Sequence, residues 1–132
     1  MMANDARPDS LLEGDTIVEL RTTFSARDRA AACARRLVDG RFAACVQVEG
    51  PVTSVYRWQG AVEQAEEFRC TCKTSVAGAT ACAAAMLAAH DYETPELIAV
   101  TVHASPAYAA WVRAMVRSGA TGQNDRDVAP PS

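Results

Sequence analysis

The stretch AACVQVEGPVTSVYRWQGAVEQAEEFRCTCKT, residues 43–74, decides the fold. Val46, Val48, Val52, Val55, Tyr56 and Trp58 supply the β-branched and aromatic residues of an outgoing strand. On the return, Phe68, Cys70 and Cys72 alternate with Arg69, Thr71 and Lys73, the period of two that marks a strand with unlike faces. Gln59-Gly60 marks the turn between them. At roughly 3.3 Å per residue, arms of about 14 residues run ~45 Å. A body of about 100 residues is only ~35 Å across, so the ribbon outruns the domain that carries it. Gly50-Pro51 predicts a bulge in the outgoing arm, because proline donates nothing to a ladder. A long apolar ribbon with unpaired edges is an aggregation hazard unless a second subunit covers it, so self-association is the first functional expectation.

Upstream of this ribbon, Asp15 to Thr23 alternates as a first strand, and a helix runs from Ser25 to about Asp39. Ser25 and Asp28 form a weak capping box; Ala30, Cys33 or Ala34, Leu37 and Val38 make the buried stripe, and Gly40 suits the left-handed position past the end. Downstream, Ser75 caps a second helix reaching about His90, HDYETPE (90–96) connects, and Glu96 to Val102 forms a fourth strand. Ser105-Pro106 opens a third helix whose Tyr108, Trp111, Val112 and Met115 fall on one face. Residues 1–14 read as a flexible tail, 15–117 as the domain and 118–132 as a disordered tail. The order β-α-β-β-α-β with an extra C-terminal helix predicts an α+β, ferredoxin-like fold, a four-stranded antiparallel sheet with two helices on one side. Val18, Leu20, Val46, Phe68, Cys70, Cys72, Ile98 and Val100 are expected beneath those helices. The other side then carries Glu19, Arg21, Cys45, Gln47, Arg69, Thr71, Lys73, Thr101 and His103.

Composition narrows the function classes. A net charge of −3 argues against a nucleic-acid surface, and the sheet lacks the paired aromatics on which bases stack. No apolar run reaches membrane-spanning length, and MMANDARPDS has no apolar signal core. Five cysteines, an odd count, then read as reduced thiols of a cytoplasmic protein, mostly small buried hydrophobes.

Acidic residues gather in two places: Glu63, Glu66 and Glu67 on the return arm, and Asp91, Glu93 and Glu96 around Tyr92 and Pro95. With the His90 imidazole nearby, a divalent cation could find oxygen and nitrogen ligands here, although no CxxC, HExxH or calcium-loop spacing is present. Cys70-x-Cys72 places two sulfurs on one strand face, which packing beneath the helices accounts for. Lys73 is the sole lysine among thirteen basic residues, a compact ammonium where every other cation is a guanidinium. Trp58 at the ribbon tip reads as an intersubunit anchor. No activated nucleophile is present, and Cys45 with His90 would form one only if the fold joined them, so no enzyme is expected.

Taken together, AACVQVEGPVTSVYRWQG, VEQAEEF leading to KT, HDYETPELIAV and the closing AAWV resemble the CutA divalent-cation tolerance family, over about residues 16–116. The resemblance implies a cytosolic homotrimer built like the PII signalling proteins, with clefts between subunits. It implies ligand-binding roles for Trp58, Glu63, Lys73, Tyr92 and Glu93. It also implies copper or another divalent cation at Cys45, His90, Glu93 and Glu96, serving metal tolerance, or alternatively a PII-like module that binds a small anion or a protein partner. Gln47, Glu49 and Asp91 depart from the usual Asn, Pro and Pro of that family.

Overall fold

The computed structural model describes residues 8–117. Seven regular elements follow a short 3₁₀ helix, Pro8–Glu13, which lies inside the segment expected to be a flexible tail. They are β1 (Thr16–Phe24), α1 (Arg27–Asp39), β2 (Cys45–Trp58), β3 (Ala61–Thr74), α2 (Ala79–Ala88), β4 (Ile98–His103) and α3 (Pro106–Met115). The remaining tail residues, 1–7 and 118–132, lie outside the described chain.

The four strands form one antiparallel sheet in the order β2-β3-β1-β4, the ferredoxin-like arrangement. Central β1 buries both faces. On one, Val18, Leu20 and Phe24 pack with Cys70 and Cys72 of β3 against Ala30, Cys33 and Leu37 of α1 and Cys82 and Met86 of α2. On the other, Ile17 and Val102 pack against Ala109, Val112 and Val116 at α3. Two buried hydroxyls inside this frame are satisfied: Thr22 donates to the Glu96 carbonyl at 2.7 Å and Thr74 to the Phe42 carbonyl at 2.8 Å.

The ribbon is as long as its sequence requires. β1 pairs with β3 only from Val18–Thr74 to Phe24–Phe68. Beyond that point Val52–Trp58 and Ala61–Glu67 pair only with each other, seven residues a side, which projects the ribbon by ~23 Å. Gln59 and Gly60 take positive φ at 50° and 83°, the two-residue turn whose twist matches the strands. The register shifts between Glu49 and Val52, at the predicted bulge. Arg27 braces it, donating to the Gly50 carbonyl at 2.7 Å with its guanidinium 4.9 Å from the Phe68 ring centre.

Four local expectations need correction. α1 begins at Arg27 after Ala26, with no side-chain cap from Ser25. Gly40 is right-handed and Arg41 takes the left-handed position (φ 63°), closing the helix through Arg41 N–H to Val38 O and Phe42 N–H to Leu37 O. The Arg41 side chain reaches α3, donating to the Met115 carbonyl at 3.2 Å, which offsets the backbone cost. Ser75 accepts from Gly78 N–H in a turn, and α2 starts four residues later. β4 has the opposite parity from that expected: Thr101 pairs with Val18 while Val100 pairs with Glu19. Ile98 and Val100 therefore lie on the face of Glu19 and Arg21, and Thr101 on the side of α1 and α2. A strand's parity is set by the ladder it joins, and Val102 joins the α3 cluster.

Candidate functional site, a cleft along the ribbon

The site begins at His90, just past the end of α2, where the side chain is 1% exposed. Its ring stacks on Phe24, centroids 4.2 Å apart and 12° from parallel. Nε2 lies 2.8 Å from the Thr23 carbonyl, and Nδ1 accepts the Tyr92 backbone N–H at 3.1 Å. Only the Nε2–H tautomer makes both bonds, so the imidazole is neutral. Asp91 stands 3.7 Å from Nδ1, but that atom has no proton to offer, and the carboxylate instead meets Arg29 at 3.5 Å.

This anchor aims Tyr92. Its hydroxyl donates to Glu67 Oε2 at 3.0 Å, and Thr23 donates to the same oxygen at 3.3 Å. Burial first, then the bond to Glu67 and its negative charge, push the Tyr92 phenol up to about 12. Two donors on one oxygen hold Glu67 in place and leave its second oxygen for another partner.

Around this pair opens a cleft of about 800 Å³, bounded by the ribbon, the end of β1 and the 92–96 loop. Trp58, Tyr92 and Glu96 of the predicted residues line it, joined by Tyr56, Glu66 and Glu67. The ladder register puts Tyr56, Trp58, Glu63 and Glu67 on one ribbon face. Glu67 carried a signal in the sequence only as one carboxylate of an acidic run. Its role as the fixed one depends on Thr23 and Tyr92, which the chain reaches from two other segments.

The remaining predicted residues stand apart. Cys45 and Lys73 are ladder partners on the opposite end of the sheet, beside Glu19. Lys73 Nζ donates to Gln47 Oε1 at 3.2 Å and sits 6.0 Å from the Tyr108 ring centre. Burial, with Cys45 and Glu19 nearby, raises the Tyr108 phenol. Glu19 and Thr23, which mark the Lys73 and His90 positions on β1, are ~13 Å apart along the strand. Cys45 and His90 therefore do not meet within one chain. Glu93 is exposed on its loop. Among the described residues no three His, Cys, Asp or Glu side chains converge as a metal shell, and His90 has no spare nitrogen lone pair. The proposed metal donors Cys45, His90, Glu93 and Glu96 thus do not fit a metal ion within a single chain.

Known proteins share this architecture. The chain resembles the crystal structure of CutA from Xylella fastidiosa, with a TM-score of 0.74 and 32% identity over 76% of this chain and 98% of that one. It also resembles CutA from Synechococcus elongatus, with a TM-score of 0.74 and 33% identity over 80% of this chain and 94% of that one. Among curated relatives, the divalent-cation tolerance protein CutA of Thermus thermophilus is 33% identical over 92 residues, 69% of this chain and 89% of the relative. Mouse Protein CutA is 35% identical over 86 residues, 64% of this chain, and the match spans about half (49%) of the mouse protein. The family model for the CutA1 divalent ion tolerance protein matches residues 18–115, from the first strand through the third helix. On sequence and fold alike, this chain belongs to the CutA1 divalent ion tolerance family.

Proposed function

We propose that the protein serves divalent-cation tolerance by binding rather than by catalysis, as a cytosolic homotrimer whose metal or small-ligand sites form between copies. The observation that carries this reading is the ribbon, Val52–Trp58 with Ala61–Glu67, which among the described residues has no strand partner beyond itself. Val55 (63% exposed), Trp58 (55%) and Val62 (65%) remain in water on it, the arrangement that a second copy would bury. Since His90 is committed to its two bonds, the metal donors in this reading are Cys45, Glu93 and Glu96, drawn from different copies. Thiolate, with carboxylate oxygen, suits copper or zinc.

The test is calorimetric titration of the reduced protein with Cu²⁺ and Zn²⁺, alongside sedimentation. Saturable uptake is expected only where the protein is assembled, and Cys45→Ser or Glu96→Gln should weaken it. Equal uptake by a dissociated chain, or none at all, would overturn the reading. The PII-like alternative draws on Lys73, whose ammonium is bonded to a neutral amide rather than to a carboxylate. Saturable binding of a small anion that is lost in Lys73→Met would favour it.

A further inference from the structure

Four of the five cysteines meet in the core, away from the ribbon and from the cleft. Cys33 comes from α1, Cys70 and Cys72 from β3 and Cys82 from α2, all in one buried cluster. Within it the sulfurs are not equivalent. Cys70 donates its S–H to the Ala30 carbonyl at 3.4 Å. Cys72 and Cys82 hydrogen-bond to each other between β3 and α2, with the Cys72 S–H donating to Cys82. That bond, with burial added, holds the Cys72 thiol well above its usual range, and the same bond favours ionisation at Cys82. Cys45 is no rival partner, since it stands in register with Lys73 on the other side of the sheet.

Both sulfurs are fully buried, so a reagent reaches them only when α2 opens. The start of this helix is its weak end. It has ten residues, fewer than the ~12–15 that an isolated helix needs. Gly78 supplies no side-chain cap, and the first turn carries no acidic residue. Cys82, in that turn, and Met86 are its only buried residues, while His90 anchors the far end. Unwinding the first turn therefore frees Cys82 and uncovers Cys72 beneath it, with His90 left in place.

We propose that Cys72 and Cys82 are a redox site, which a peroxide converts to a disulfide between β3 and α2. The Cys82 thiolate attacks one peroxide oxygen, the O–O bond breaks, and hydroxide leaves and takes up a proton as water. Cys82 is then a sulfenic acid. The Cys72 thiolate attacks that sulfur, the S–S bond forms, the S–O bond breaks and a second water leaves. Two thiols lose two electrons in all, and one peroxide becomes two waters. The bond ties the helix that carries His90 to the sheet, and thiol exchange reverses it. The proposal stands apart from the metal reading, which draws on Cys45.

The test exposes full-length Cys45→Ser, which keeps only the core thiols, to hydrogen peroxide at pH 8 and then alkylates it in acidic denaturant. An intrachain product lighter by two hydrogens is expected. Tandem mass spectrometry should join Cys72 to Cys82 and find Cys33 and Cys70 alkylated, and dithiothreitol should make all of them alkylatable again. Ala81→Gly, on the exposed side of the first turn, should speed the reaction about threefold or more by easing the opening. Cys72→Ala should abolish the mass loss. If that variant fails to fold, the linkage map and the Ala81→Gly rate decide without it. A different linked pair, sulfinic acid at Cys82 with no disulfide, no reaction in the native protein, or a rate unmoved by Ala81→Gly would overturn the proposal.

Discussion

His90 was legible as an imidazole among carboxylates but not as the anchor that the fold makes of it. Sequence marks an imidazole among carboxylates and so points to a ligand. Only the fold reveals that α2 delivers it onto Phe24, with one nitrogen on the Thr23 carbonyl and the other on Tyr92 N–H. Truncation would leave two backbone groups unsatisfied and open a void against Phe24. His90→Ala should therefore cost about 2–4 kcal/mol, read as a lower urea midpoint. Tyr92 gives a pH signature whose sign follows from its shift. Its phenol rises from 10 to about 12 on folding, so the neutral form is the one the fold favours. That stabilisation is complete below pH 10 and is lost as pH climbs from 10 towards 12. Glu67→Gln removes the charge and alters the bond but not the burial. It should bring the Tyr92 transition, followed by phenolate absorbance, part of the way back towards 10.

At the scale of elements, strands and their turn were readable because a period of two and a Gln-Gly turn are local signals. What failed was non-local. The start of α1 depends on how the chain leaves β1, and the parity of β4 depends on its register with Val18 rather than on its own alternation of Ile98, Val100 and Val102. Two ribbon glycines separate the local from the tertiary cost. A Cβ at Gly60 (φ +83°) would meet nothing within 4 Å, so Gly60→Ala should cost only the left-handed backbone term, about 1–2 kcal/mol. At Gly50 (φ +151°) a Cβ would fall 2.7 Å from the Phe68 ring and 2.9 Å from the Glu67 carbonyl. Gly50→Ala should destabilise more than Gly60→Ala in parallel urea melts, since the backbone carbonyl cannot yield without opening the ladder. The sulfurs between sheet and helices were read correctly as packing. Cys33, Cys70, Cys72 and Cys82 are buried, and burial first of all pushes Cys33 up to about 11 and Cys70 to about 12. Disulfide-exchange reagent at neutral pH should therefore titrate no more than the half-buried Cys45 in the native protein, and all five thiols in denaturant.

For the whole molecule, the decisive feature is that the ribbon exposes large apolar side chains on both faces. The register places Val55 and Val62 on one side and Tyr56 and Trp58 on the other. A two-stranded ribbon with no sheet neighbour is marginal in water, and a ribbon with one apolar face could be stabilised by folding back on its own body. This one projects past β1, and among the described residues no other element pairs with it, so in the reading proposed above sister copies would cover both faces. Assembly should therefore be coupled to ribbon order. Amides of residues 52–67 should exchange slowly only at concentrations where the protein sediments above the 14.0 kDa of one chain, while amides of β1 should stay protected on dilution. Val62→Glu places a charge on the face that sister copies would cover and should shift sedimentation towards the single chain, with the far-ultraviolet spectrum of the body retained. Slow exchange along the ribbon of a dissociated chain would show that it is stable alone, and the case for assembly drawn from its overhang would then fail.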